Sequence, residues 1–149
     1  MPEYCPNLEV IRLIGFSIEN SQEISSGKGF RKLRVLDVRL VQQDLIRPLL
    51  RKFLEESSNI EEITINTSCT DLDSDYLMDL MKPNTMIKLQ KLVMAMSPNT
   101  HLTTVVARRI VELLPNLNIL GVTRWNMTSR EVTVLRNELQ EKNIDIRLV

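Results

Sequence analysis

Histidine occurs once in the 149-residue chain, at position 101, and cysteine twice, at 5 and 69. Acid–base and nucleophilic catalysis need such groups held in partnered sets, so this scarcity leaves a catalytic reading few components. Two cysteines so far apart supply neither the disulfide framework of a small secreted domain nor the paired ligands of a zinc site, and both are read as reduced thiols. Charge of one sign is not in excess either. Nineteen Lys and Arg face nineteen Asp and Glu, which argues against nucleic acid and anionic membrane as partners. No apolar run approaches the roughly 18 residues of a membrane span, and no basic stretch precedes an apolar one at the N-terminus. An intracellular setting, cytoplasmic or nuclear, is expected, and the glycosylation-like triplets Asn66-Thr67-Ser68 and Asn126-Met127-Thr128 are read as chance matches. Glycine (4 residues) and aromatics (4%) are scarce too, so with 43% hydrophobic residues the core must be built from Leu, Ile and Val.

What the chain has is a period. Apolar triplets of the form L-x-x-L-x-L recur as Leu8, Ile11, Leu13; Leu33, Leu36, Val38; Ile60, Ile63, Ile65; Leu89, Leu92, Met94; and Leu117, Leu120, Val122. A sixth segment alternates as Ile144, Ile146, Leu148, and successive segments start 25, 27, 29, 28 and 27 residues apart. That interval is too long for a hairpin and fits one strand, one helix and two turns, so consecutive strands should be parallel. Helical spacing is visible over 44–57, with Pro48 requiring a start near Arg47 or a bend there, and over 74–82 and 103–114. Thr128-Ser-Arg-Glu131 forms a capping box ahead of Val132, Leu135 and Leu139. Residues 19–29 carry no helical pattern and are read as mostly loop. Asn7, Asn59, Asn116 and Asn143 each precede the first apolar residue of a strand, where Asn is expected to adopt the left-handed conformation that ends a helix.

This repeat is similar to the leucine-rich repeat in its longer, ribonuclease-inhibitor-like form. The phrases Cys5-Pro-Asn-Leu-Glu-Val-Ile-Arg-Leu and Leu114-Pro-Asn-Leu-Asn-Ile-Leu further resemble the repeats of F-box/leucine-rich-repeat proteins. The resemblance implies one α/β solenoid domain over 1–149, about five and a half repeats bent into a horseshoe, with a parallel concave sheet and helices on the convex side. It also implies a non-enzymatic substrate-recognition role in a ubiquitin ligase. Two departures matter. The places where the family usually carries a ladder of Asn or Cys hold Phe16, Val41, Ser68, Ser97 and Trp125, so irregular turns are expected. No F-box stands ahead of the first repeat, so a ligase complex is expected only if one lies upstream. A fragment, a truncated member and a free-standing scaffold or competitor are the alternatives.

Residues between the strand leucines should face outward and form the partner surface: Val10, Arg12, Ile14; Val35, Asp37, Arg39; Glu62, Thr64, Asn66; Lys91, Val93, Ala95; and Ile119, Gly121, Thr123. This mixture of apolar and charged groups suits a protein or peptide partner. The bland reading is a solvated face on which Arg12–Asp37 and Arg39–Glu62 pair between neighbouring strands. Trp125 is either an interface anchor or a buried filler of its turn. Met78, Met81, Met86, Met94 and Met96 fall at core spacing. A cysteine-dependent enzyme built on Cys69 and His101 is the remote rival. Asp71, Asp73 and Asp75 lack the Gly and distal Glu of a calcium loop, and Gly27-Lys-Gly29 lacks the rest of a phosphate loop, so neither metal nor cofactor is expected. The first strand has no polar cap over its outer edge, which leaves self-association through that edge as an expectation.

Overall fold

The apolar triplets become the strands of one sheet. A computed structural model describes residues 5, 7–16, 30–40, 46–54, 57–67, 74–81, 86–95 and 102–147. Six strands, β1 (Val10–Phe16), β2 (Val35–Leu40), β3 (Glu62–Thr67), β4 (Lys91–Ala95), β5 (Ile119–Gly121) and β6 (Asp145–Arg147), pair in sequential order and all in parallel. Between them run α1 (Ile46–Leu54), α2 (Ser74–Leu80), α3 (Thr104–Leu113) and α4 (Ser129–Gln140). The register aligns the second leucine position of every unit: Ile11, Leu36, Ile63, Leu92, Leu120 and Ile146 are Cα partners in succession. Because side chains alternate along a strand, this alignment puts all six on one face. They join Leu49, Leu50 and Phe53 of α1, Leu77 of α2, Ile110 of α3 and Leu135 of α4 in a single buried cluster. Each such side chain withdrawn from water stabilises the fold by about 2 kcal/mol before its conformational entropy is counted.

The chain turns into the first five strands in the same way. The first apolar residue of each of these units donates its backbone N–H three residues back, in Leu8→Cys5, Leu33→Phe30, Ile60→Ser57, Leu89→Met86 and Leu117→Leu114, whereas Ile144, ahead of β6, donates five residues back to the Leu139 carbonyl. The next two N–H groups converge on one carbonyl of the preceding unit: Arg34 and Val35 on Glu9, Glu61 and Glu62 on Arg34, Gln90 and Lys91 on Glu61, Asn118 and Ile119 on Gln90. Within these turns the third position alternates Asn7, Lys32, Asn59, Lys88, Asn116. Lys32 Nζ donates to Asn7 Oδ1 at 2.6 Å and Lys88 Nζ to Asn59 Oδ1 at 2.6 Å, while Asn59 Nδ2 donates to the Arg31 carbonyl at 3.0 Å and Asn116 Nδ2 to that of Ile87. Among the four asparagines expected to be left-handed, only Asn143 is so, at φ 59°. The other three act through their amides instead, tying each turn to the next, and so supply a ladder at strand starts where none was expected.

The helices follow their sequence signals. In α1, Pro48 is the third residue, inside the first turn, where its missing N–H has no helical partner to lose. α4 is capped as expected: Thr128 Oγ1 accepts from the Glu131 N–H at 3.2 Å and the Glu131 carboxylate accepts from the Thr128 N–H at 2.7 Å. These bonds hold the Glu131 carboxyl below its ordinary pKa, the backbone bond contributing most. Ser57, buried just beyond α1, has its Oγ 2.8 Å from the Phe30 carbonyl and also within reach of that of Phe53, whose ring stands 5.4 Å from Phe30. Its hydroxyl thereby anchors the end of α1 to the turn that opens the previous unit. The loop reading of 19–29, together with Val41, Ser68, Cys69, Asp71, Asp73, Met96, Ser97, His101 and Leu148, lies outside the described residues.

Candidate functional site

Strand alternation that buries one face of the sheet turns the intervening residues to the other, and no described element lies across it. The register arranges this open face in three rows. The first holds Val10, Val35, Glu62, Lys91, Ile119 and Asp145; the second Arg12, Asp37, Thr64, Val93, Gly121 and Arg147; the third Ile14, Arg39, Asn66 and Ala95, with Thr123 just beyond β5. Exposure falls from the β1 side inward. Val10 and Ile14 are 45% and 66% exposed, whereas Val93 and Ala95, expected to face a partner, are buried at 8% and 6%.

The burial of these two has a local cause. A Cβ on Gly121 would sit 2.8 Å from Val93 Cγ1, so Val93 leans into the space that the glycine leaves. Ala95 lies in register with Asn66 on β3, and Arg124, at the far side of β4, donates from Nη2 to Asn66 Oδ1 at 3.0 Å. The Arg124 side chain therefore spans β4 at the level of Ala95, where a larger residue would obstruct it. Arg124 itself has φ 61°, an unusual conformation for a side chain of its size, in a turn closed by the Trp125 N–H on the Val122 carbonyl at 3.2 Å.

Trp125 is not exposed as an interface anchor would be. It is buried at 6% exposure, and its Nε1 donates to the Met94 carbonyl at 2.8 Å. Pairing between β4 and β5 ends at Val93 and Gly121, so the indole supplies a hydrogen bond to β4 beyond the last residue that β5 reaches. The buried-filler reading of its turn position is the correct one.

The ion pairs also differ from the cross-strand scheme. Arg39 makes a two-pronged contact with Asp37, at 3.0 and 3.1 Å, along its own strand, which raises the Arg39 pKa. Glu62 pairs with Lys91 at 3.2 Å, not with Arg39, and Asp145 with Arg147 at 2.9 Å. Arg12 stands opposite Asp37 in register, but that carboxylate is held by Arg39, and among the described residues no carboxylate pairs with Arg12. At the strand starts, Arg34 contacts Glu61 at 2.9 and 3.1 Å and Glu9 at 3.7 Å, and its hydrogen bond holds the Glu61 carboxyl below the usual range. Apart from Asp37, whose side chain is only 13% exposed, these groups are open to solvent, and such pairs are individually weak.

Among the described residues no group of three His, Cys, Asp or Glu could hold a metal ion, and no helix is long and apolar enough to cross a membrane. Set against known proteins, the chain matches no family model, and no curated protein sequence is significantly similar to it.

Proposed function

We propose that the chain is a leucine-rich-repeat solenoid of the ribonuclease-inhibitor-like kind, working inside the cell as a non-enzymatic protein-recognition module whose open sheet face receives the partner. The observation that carries this reading is the bareness of one side of the sheet. All-parallel sheets ordinarily have both faces covered, and a parallel sheet whose second face is left to solvent is characteristic of repeat architectures that bind along it. Apolar Val10 and Ile14 beside Arg12 and Arg39 give that face the mixed chemistry of interfaces. The narrower form of the proposal, a substrate-reading region of an F-box-type ubiquitin ligase subunit, is favoured by the Cys5-Pro-Asn-Leu and Leu114-Pro-Asn-Leu phrases alone.

The test is affinity capture with the native chain and with a variant carrying Ile14→Asp and Val35→Asp, read by mass spectrometry. Partners retained by the native chain and lost by the variant support recognition on the open face. A partner set indifferent to both substitutions overturns it. For the ligase form the bait is the endogenous protein: co-purifying cullin-complex subunits together with F-box peptides upstream of Met1 support it, and their absence from that capture removes it.

A further inference from the structure

The charges on the open face do not cancel, although those of the chain do. Asp37, Glu62 and Asp145 are each taken by a cation on the same face, Arg39, Lys91 and Arg147 respectively. Two guanidinium groups of this face are left without a carboxylate among the described residues: Arg12, exposed between Val10 and Ile14 on β1, and Arg124, which donates to the neutral amide of Asn66. Every acidic group of the described face is thus already neutralised, while two cations are held ready.

We infer that the partner is an extended, acidic protein segment, two of whose carboxylates are read by Arg12 and Arg124 while an aliphatic side chain between or beside them rests on Ile14 and Val10. This rests on the reading above that the open face binds protein. The spacing is set by the sheet. The Arg124 guanidinium is at Asn66 on β3, two strands from β1, and Asn66 lies two residues further along its strand than the row holding Arg12. Two strand separations across and two residues along amount to a diagonal of about 12 Å, which an extended chain covers in about four residues. Guanidinium groups bind carboxylates with two parallel hydrogen bonds, so both sites favour Asp or Glu over a neutral side chain. The left-handed backbone at Arg124 fits this role: it directs a long cation back across the sheet from a turn where Gly or Asn is the ordinary residue.

The test selects a displayed library of random dodecapeptides on the full chain at low salt, then measures synthetic versions of the selected peptides. The expected result is enrichment of Asp or Glu pairs three or four residues apart. Their affinity should fall with added salt, and fall at least tenfold on Arg12→Glu and on Arg124→Asn, the latter keeping a residue that tolerates the left-handed backbone. Arg136→Glu, on α4, should change little. Neutral or basic peptides that lose binding on Ile14→Asp but not on Arg12→Glu overturn the acidic-segment inference and leave protein recognition standing. A selection that yields no peptide sensitive to any of these open-face substitutions overturns both.

Discussion

The two faces of the same sheet are built by opposite rules. On the helix side, one register position after another is filled by Ile11, Leu36, Ile63, Leu92, Leu120 and Ile146, near-equivalent residues that are all buried. On the open side, the neighbouring row runs Arg12, Asp37, Thr64, Val93, Gly121, Arg147, with no residue type repeated next to itself. Packing against a helix imposes the same demand at every strand, so the covered face carries the period. The open face meets no such demand, and its residues are individual. Information about the fold therefore lies on one side of the sheet, and, on the recognition proposed above, information about the partner lies on the other.

The sharpest way to break this contrast is to truncate matched positions on the two faces. Leu92→Ala, which opens a cavity where Leu92 has no exposure, is expected to cost about 3–5 kcal/mol of unfolding free energy in denaturant titration, whereas Thr64→Ala should stay within about 0.5 kcal/mol. Equal losses would show that the open face is packed as a core. Trp125 sharpens the boundary between the faces. Trp125→Phe keeps most of the ring but removes the donor to the Met94 carbonyl, and a loss of about 1–3 kcal/mol is expected. A loss near zero would mean that the indole bond contributes nothing to stability.

Gly121, like Ala95, is an open-face position where the fold does dictate the residue. Gly121→Ala forces a Cβ against Val93, whose β-branched side chain has little rotamer freedom to yield, and should destabilise by about 1–2 kcal/mol in the same titration. A neutral result would show that Val93 moves freely. Thr128→Ala removes the capping hydroxyl of α4 and should cost about 1 kcal/mol, while Thr128→Asn retains most of it.

Acid is the mildest perturbation. Glu61, Glu131 and Glu138 have carboxyl pKa values lowered by their hydrogen bonds, from Arg34, from the Thr128 backbone and from Arg108 respectively. A carboxyl whose folded pKa lies below its unfolded one contributes stability that is present above the unfolded value and lost as pH falls through the folded value. The melting temperature should therefore decline on acidification below about pH 4.5, and Glu61→Gln should make that decline shallower. No acid dependence attributable to these residues would mean that the pairs are fully screened.

The contrast between faces also explains which features were legible in the sequence. Strand phase, parallel order, all four described helices and the α4 capping box follow from apolar spacing and cap chemistry, which the covered face repeats. α2, over Ser74–Leu80, falls inside the 74–82 segment that apolar spacing marks. The turn ladder is hard to read from sequence because two residue types share its slot, Lys32 and Lys88 alternating with Asn7, Asn59 and Asn116, and neither type alone shows the period. The partners of Arg39 and Glu62 were not legible: a long side chain on a sheet reaches carboxylates along and across strands at similar cost, and spacing does not choose between them. The burial of Val93 and Ala95 depends on Gly121 and on the reach of Arg124 from a left-handed turn, a conformation that an arginine gives no reason to expect.

The most direct test of the central claim is hydroxyl-radical footprinting of the chain alone and with a captured partner, comparing Val10 and Ile14 on the open face with Val105 on α3 and Val134 on α4. All four are exposed in the free chain, at 45%, 66%, 70% and 47%. Recognition on the open face predicts that Val10 and Ile14 lose labelling on binding while Val105 and Val134 keep theirs. Protection of Val105 and Val134 with Val10 and Ile14 unchanged would contradict it and move the interface to the helices.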